Sequence, residues 1–129
     1  MMQAILQHVS IPRPPGSEAL TRAFYGELLG LEELPVPSTI QQFDLIWFAL
    51  GPATELHVFA EEPYHKQSTQ HFCLVVDDLA GLRHKLVEAG VETWEPATIQ
   101  GRPRFFCRDP FRNIIEFTTI EADYKLFEG

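Results

Sequence analysis

Apolar and polar residues alternate along this chain in short runs, and the runs follow an order that occurs twice. Residues 3–11, QAILQHVSI, have strand character, and PRPPGS (12–17) reads as a loop. Over residues 17–29 the period changes. Leu20, Phe24 and Leu28 recur at helical spacing, Ser17 stands at the N-cap position and Gly30 follows the last turn. Strand patterns come next near 31–35, 42–50 and 54–60, with PVPS (35–38) and Gly51-Pro52 as breaks. The order then restarts. QHFCLVV (70–76) is a strand, and Asp77 or Asp78 caps a helix with Leu79, Leu82 and Leu86 on one side and Gly90 at its end. Further strands fall near 91–95, 103–107 and 113–120.

The chain thus reads βαβββ followed by βαβββ, and the register supports a duplication. HVSI (8–11) aligns with HFCL (71–74) at an offset of 63, and Gly30 with Gly90 at 60. The longer PRPPG loop of the first half accounts for the difference. ELHVF (55–59) aligns with EFTTI (116–120) at an offset of 61. A histidine therefore opens each half, and a glutamate sits in each last strand. The expected organisation is a single domain over 1–129, with one module over about 1–62 and a second over about 68–122.

Side chains alternate across a strand. Opposite Glu116 lie Ile115, Phe117 and Thr119; opposite Glu55 and His57 lie Leu56, Val58 and Ala60. Opposite His71 lie Phe72, Leu74 and Val76, and opposite His8 lie Val9 and Ile11. One face is nearly all apolar and is expected to pack under the helices. The other collects His8, Glu55, His57, His71 and Glu116. A carboxylate inside an apolar strand needs a partner, because burying it alone is costly. Imidazole nitrogen and carboxylate oxygen together suit a divalent metal such as zinc, iron, nickel or manganese.

Composition narrows the classes. With 45% hydrophobic residues in 129, the chain can bury a core without disulfides, and its two cysteines read as reduced thiols of a cytoplasmic protein. No apolar run reaches the roughly 18 residues of a membrane span, and the first residues lack a secretory pattern. A net charge of -8 argues against nucleic acid and favours a cationic ligand over an anionic polymer. Arg102, Arg104, Arg108 and Arg112 gather near the last two strands, either as an anion clamp or as a solvated edge. Trp47, Phe43 and Phe59 either shape a pocket or fill the core, and Cys73 shares the face of His71. His65 and His84 read as loop and helix-surface residues.

Taken together, QHVSI, ALTRAFYGELLGLEEL, ELHVF, HFCLVVDDLAGLRHKLVEAGVE and RFFCRDPFRNIIEF resemble the vicinal oxygen chelate superfamily, also called the glyoxalase/bleomycin-resistance/dioxygenase superfamily. The resemblance spans nearly the whole chain. It implies an α+β fold in which two βαβββ modules form a cup-shaped, partly open antiparallel sheet with helices on the outer face. It also implies one divalent metal (Zn, Ni, Mn or Fe(II)), held by His8, a residue of ELH, His71 and Glu116. Glu55 matches the glyoxalase-like ligand and is the repeat equivalent of Glu116, while His57 matches a histidine found in another group of small members. Imidazole's stronger binding of late transition metals tips the expectation to His57. Glu55 then becomes a candidate catalytic base alongside Glu116. Trp47, Arg104 and Arg112 are the candidate substrate contacts. Arg112 departs from the family, which usually has glycine there; if the turn requires positive φ, the arginine carries strain.

Two classes of function follow from the resemblance. The first is a metal-dependent enzyme acting on a small oxygen-chelating substrate, with glyoxalase-like lyase or isomerase chemistry favoured. An iron(II) dioxygenase using His8, His71 and Glu116 is a further alternative. The second is a metal-free protein that sequesters a drug or other small molecule, as bleomycin-resistance proteins do. Either would work as a homodimer, with neither nucleic acid nor membrane as partner.

Overall fold

The computed structural model describes residues 2–62 and 69–128, so His65 lies outside the described residues. The chain divides into two compact units, Met1–Lys66 and Gln67–Gly129. In the first, β1 (His8–Arg13) leads into α1 (Glu18–Thr21), which runs on as a π-helical stretch, Arg22–Leu28. β2 (Glu33–Leu34), β3 (Leu45–Leu50) and β4 (Thr54–Ala60) follow. The second unit repeats the order with β5 (His71–Val75), α2 (Leu79–Glu88), β6 (Thr93–Trp94), β7 (Arg104–Arg108) and β8 (Ile114–Thr118). The fold is α+β, built on two open four-stranded sheets of order β1-β4-β3-β2 and β5-β8-β7-β6. Among the described residues no helix is long and apolar enough to cross a membrane.

Both sheets are mixed where antiparallel pairing was expected. The two hairpin pairings in each sheet are antiparallel, but β1 runs parallel to β4 and β5 parallel to β8. The helix after the first strand returns the chain to the end where that strand began. The first and last strands of a unit therefore lie side by side in the same direction. This pairing sets His8 opposite Glu55 and Cys73 opposite Glu116.

The helices cover the apolar faces. Tyr25 meets Phe48 with ring centroids 5.8 Å apart, and a side chain at Gly26 would stand 3.6 Å from the Phe48 ring. Ile46, Phe48, Leu56 and Val58 are buried beneath. In the second unit Leu86 is buried, and Arg83 lies 5.5 Å over the Phe105 ring, beside buried Ile115 and Phe117. Each such side chain contributes about 1.5–3 kcal/mol through burial. Asp78 caps α2 by accepting from the Gly81 N–H at 3.0 Å, and Gly90 closes the helix at φ +82°.

The first helix buries a different stripe from the one its leucines suggest. Leu20 is 57% exposed, whereas Ser17, Thr21, Phe24 and Tyr25 are buried. Thr21 is satisfied internally, since its hydroxyl donates to the Ser17 carbonyl at 2.9 Å. The wider i→i+5 bond from the Leu29 N–H to the Phe24 carbonyl accompanies two adjacent aromatic rings turned to the core. The loop expected from residue 12 starts later, because β1 continues to Arg13. That arginine is fully buried and pairs with Glu18 at 3.0 Å and Asp44 at 2.6 Å.

Candidate functional site

In the first unit the polar sheet face carries a column of three rings. β4 lies between β1 and β3, and alternation turns Glu55 and His57 to the same side. His57 stacks on Trp47 of β3 at 3.7 Å and 5°, and on His8 of β1 at 4.1 Å and 17°. Its Nε2 lies 2.9 Å from Glu55 Oε1. The hydrogen bond from His57, and then that from Gln7, holds the Glu55 carboxyl below the usual carboxylate range. An ionised carboxylate only accepts, so the His57 Nε2 carries the hydrogen. His8 Nδ1 is 2.6 Å from Gln7 Oε1, an acceptor, so Nδ1 donates and the lone pair falls on Nε2.

In the second unit Glu116 is buried and engaged by both oxygens. Oε1 lies 2.9 Å from His71 Nε2, and Oε2 accepts from Arg104 at 3.2 Å. The cross-strand register explains the second contact: β7 sets Phe106 opposite Glu116 and Arg104 opposite Thr118, on the same face. Arg104 also donates to the Ala97 carbonyl at 2.7 Å. The Cys73 thiol hydrogen-bonds to Glu116, and burial followed by the charge of Glu116 pushes its pKa up to about 11. It is therefore a neutral thiol at neutral pH. The carboxylate inside an apolar strand thus has three neighbours on its own face, while Ile115 and Phe117 fill the other.

His71 is the informative side chain. Its Nδ1 lies 2.7 Å from the Thr69 carbonyl, and its Nε2 faces Glu116. A carbonyl and a carboxylate both only accept. With Nδ1–H on the Thr69 carbonyl, the Nε2 lone pair faces Oε1, and the two atoms make a pair of donors that a metal cation could share. Metal-binding histidines typically donate their other ring N–H to a backbone carbonyl or carboxylate. His8 shares the pattern through Gln7. The donor chemistry thus fits a borderline divalent ion such as zinc, nickel, manganese or iron(II). Among the described residues no group of three or more His, Cys, Asp or Glu side chains is already arranged to hold one.

The remaining candidates fall elsewhere. Arg112 is exposed, at φ +77°, in a turn organised by Asp109. One Asp109 oxygen accepts from the Phe111 and Asn113 N–H groups and the other from the Asn113 amide, each at 2.8 Å. These bonds hold an arginine where glycine is favoured, a conformation costing about 1–2 kcal/mol. The four arginines do not act as one cluster. Arg102 covers the Tyr124 ring at 4.7 Å, Arg104 holds Glu116, and Arg108 pairs with Glu92 at 3.4 Å. His84 is on the helix surface, paired with Glu88 at 3.1 Å. Phe43 is 58% exposed. The Arg104–Glu116 pair and the ring column were not read from the sequence. Both need the pairing register across strands, and alternation within one strand does not supply it.

Comparison with known proteins agrees with this architecture. The profile of the Glyoxalase/Bleomycin resistance protein/Dioxygenase superfamily matches residues 6–117. A glyoxalase family protein from Bacillus anthracis is 31% identical, with 93% of this chain and 99% of that one covered and a TM-score of 0.83. A glyoxalase/dioxygenase from Nostoc punctiforme is 19% identical, covering 95% and 100% at a TM-score of 0.74. The fosfomycin resistance protein FosX from Listeria monocytogenes is also similar. A variant of it, in complex with Mn(II) and 1S,2S-dihydroxypropylphosphonic acid, is 14% identical, covering 98% and 100% at a TM-score of 0.80. At such identities the last two speak for the fold alone. No curated protein matches the chain. The profile match and the shared fold establish that the chain belongs to the Glyoxalase/Bleomycin resistance protein/Dioxygenase superfamily.

Proposed function

We propose that the protein is a metal-dependent enzyme acting on a small substrate with two neighbouring oxygens, and that its chemistry is of the glyoxalase-like isomerase or lyase kind. The observation that carries this reading is His71, whose two ring nitrogens both face oxygen acceptors. The candidate ligands are His8, His71 and Glu116, each with a ring nitrogen or carboxylate oxygen suited to such an ion. His57 takes the positioning role because its Nε2 is spent on Glu55. When bound, the ion would supply Lewis-acid stabilisation of charge developing on the substrate oxygens.

The two glutamates suit different tasks. Glu116 is 11% exposed at its side chain and fixed by the Arg104 guanidinium. It suits a permanent ligand. Glu55 is 30% exposed and held by the neutral side chains of His57 and Gln7 with no guanidinium on it, which suits a carboxylate that accepts and returns a proton. Trp47 and Arg104 would border the substrate chiefly through His57 and Glu116. The exposed Arg112 guanidinium would be the candidate to meet an anionic group.

The likeness in fold to FosX, a fosfomycin resistance protein in complex with Mn(II) and a dihydroxypropylphosphonic acid, supports a second reading, action on a small phosphonate. The net charge of -8 suits a third, metal-free capture of a cationic small molecule, for which a carbonyl-oriented histidine facing a carboxylate has no use. Under the enzyme readings the protein works as a cytoplasmic homodimer.

The test is Glu55→Gln. It is expected to retain the metal and lose turnover by about 100-fold or more in whichever reaction the wild type performs, because it removes the base and keeps the shape. Glyoxalase-type isomerisation, fosfomycin opening and catechol ring cleavage form the screen. Unchanged turnover in the variant would remove Glu55 from the chemistry.

A further inference from the structure

Glu55 and Glu116 are equivalent in the two repeats, yet they are held in different ways. In the second unit the holder is Arg104, which stands opposite Thr118 on the neighbouring strand. The equivalent position in the first unit, opposite His57, is Trp47. An indole ring face donates no hydrogen bond, so Trp47 cannot steady the carboxylate as Arg104 does. The donor comes from His57 instead, at the position equivalent to Thr118, and Trp47 lies flat against that ring at 3.7 Å. On the other side of the imidazole lies His8 at 4.1 Å.

We infer that His57 is a positioning residue: its Nε2–H fixes the Glu55 carboxylate while its ring, clamped by Trp47, fixes the plane of the His8 ring. One side chain thereby orients both the Glu55 carboxylate and the His8 ring. The clamp is tight for physical reasons. The side chain is 12% exposed, both ring faces are covered, and a short strand spacing joins it to Glu55 two residues away. Parallel aromatic contact also restrains rotation about the side-chain bonds that would swing Nε2 off the carboxylate. The inference rests on the metal reading above only for its functional consequence; the hydrogen-bonding state of His57 is testable without metal.

Two measurements on the full-length protein test it. The first is Mn(II) binding by calorimetry for wild type, His57→Phe and His71→Ala. His57→Phe keeps a ring in the column and removes the N–H. It is expected to bind one Mn(II) per chain with affinity lowered about 10–100-fold, the usual effect of removing a group that orients a ligand. Loss of binding as complete as in His71→Ala would make His57 itself a ligand. Affinity equal to wild type would make it idle. Either result overturns the inference. The second measurement is the proton map of the imidazoles in the metal-free protein, read from two-bond ¹H–¹⁵N correlations. A proton on His57 Nε2, with its resonance moved by Glu55→Ala, supports the clamp; a bare Nε2 overturns it. Wild-type protein that takes up no metal would sink the metal reading alone, and the proton map would still decide the clamp.

Discussion

His71→Ala is expected to lose the metal and keep the fold. His71 stands on β5, an edge strand, and its side chain is 31% exposed. Its contacts are the Thr69 carbonyl, Glu116 and the Phe106 ring at 4.8 Å, none of which closes the core. The core beneath β8 is made by Ile115, Phe117, Phe105 and Cys107, which face the other way. The change in stability should therefore stay within about 1 kcal/mol, as for other substitutions outside the core. Metal affinity should fall by more than about 100-fold, since removing a donor costs more than removing the group that orients one. Calorimetric titration and a thermal melt of the same sample check both halves. A variant that unfolds would mark His71 as structural, and one that binds metal normally would remove it from the ligand set.

Arg13→Ala should be the more damaging change to the fold. The guanidinium is fully buried and reaches Glu18, Asp44, the Asp44 carbonyl and Ser17. It joins the end of β1, the start of α1 and the segment leading into β3. Truncation leaves a cavity and strips those groups of their partner at once. The expected cost is about 3–5 kcal/mol, comparable to breaking one side of a buried ion pair. The loss is moderated because Glu18 and Asp44 themselves reach water, with 40% and 51% of their side chains exposed. Arg13→Lys should recover only part, because an ammonium cannot serve two carboxylates, a carbonyl and a hydroxyl in one plane. The consequence reaches the site, since β1 carries His8 at its other end. Denaturant unfolding measures the cost; a change below about 1 kcal/mol would show that the pairs are incidental.

Much of this was legible in the chain. The strand and helix order followed from periodicity, and the duplication from the matched histidines, glycines and glutamates. The face shared by Glu55 and His57 followed from period-two alternation alone. What alternation cannot carry is register between strands. It left hidden that Arg104 would reach Glu116, that Trp47 and His8 would enclose His57, and that the first and last strands of each unit run parallel. Local chemistry misled in two places. Leu20 fits a helical stripe, yet Thr21 and Ser17 are buried in its stead because each finds a hydrogen bond within the turn. Arg13 looked like loop composition beside three prolines, and nothing in its neighbours announces Asp44, thirty-one residues away. The tension at Arg112 was legible, and the Asp109 hydrogen bonds show what sustains it.

The central claim is that His71 and Glu116 belong to a divalent metal site. The most direct measurement is elemental analysis of full-length protein purified without chelators or a histidine tag, followed by incubation with zinc, nickel, manganese and iron(II). About one divalent ion per chain, released on acidification as protons claim the imidazoles, is the result expected. Protein that retains none of these ions would contradict the claim and leave His71 and Glu116 as a proton-sharing pair in a metal-free binding protein.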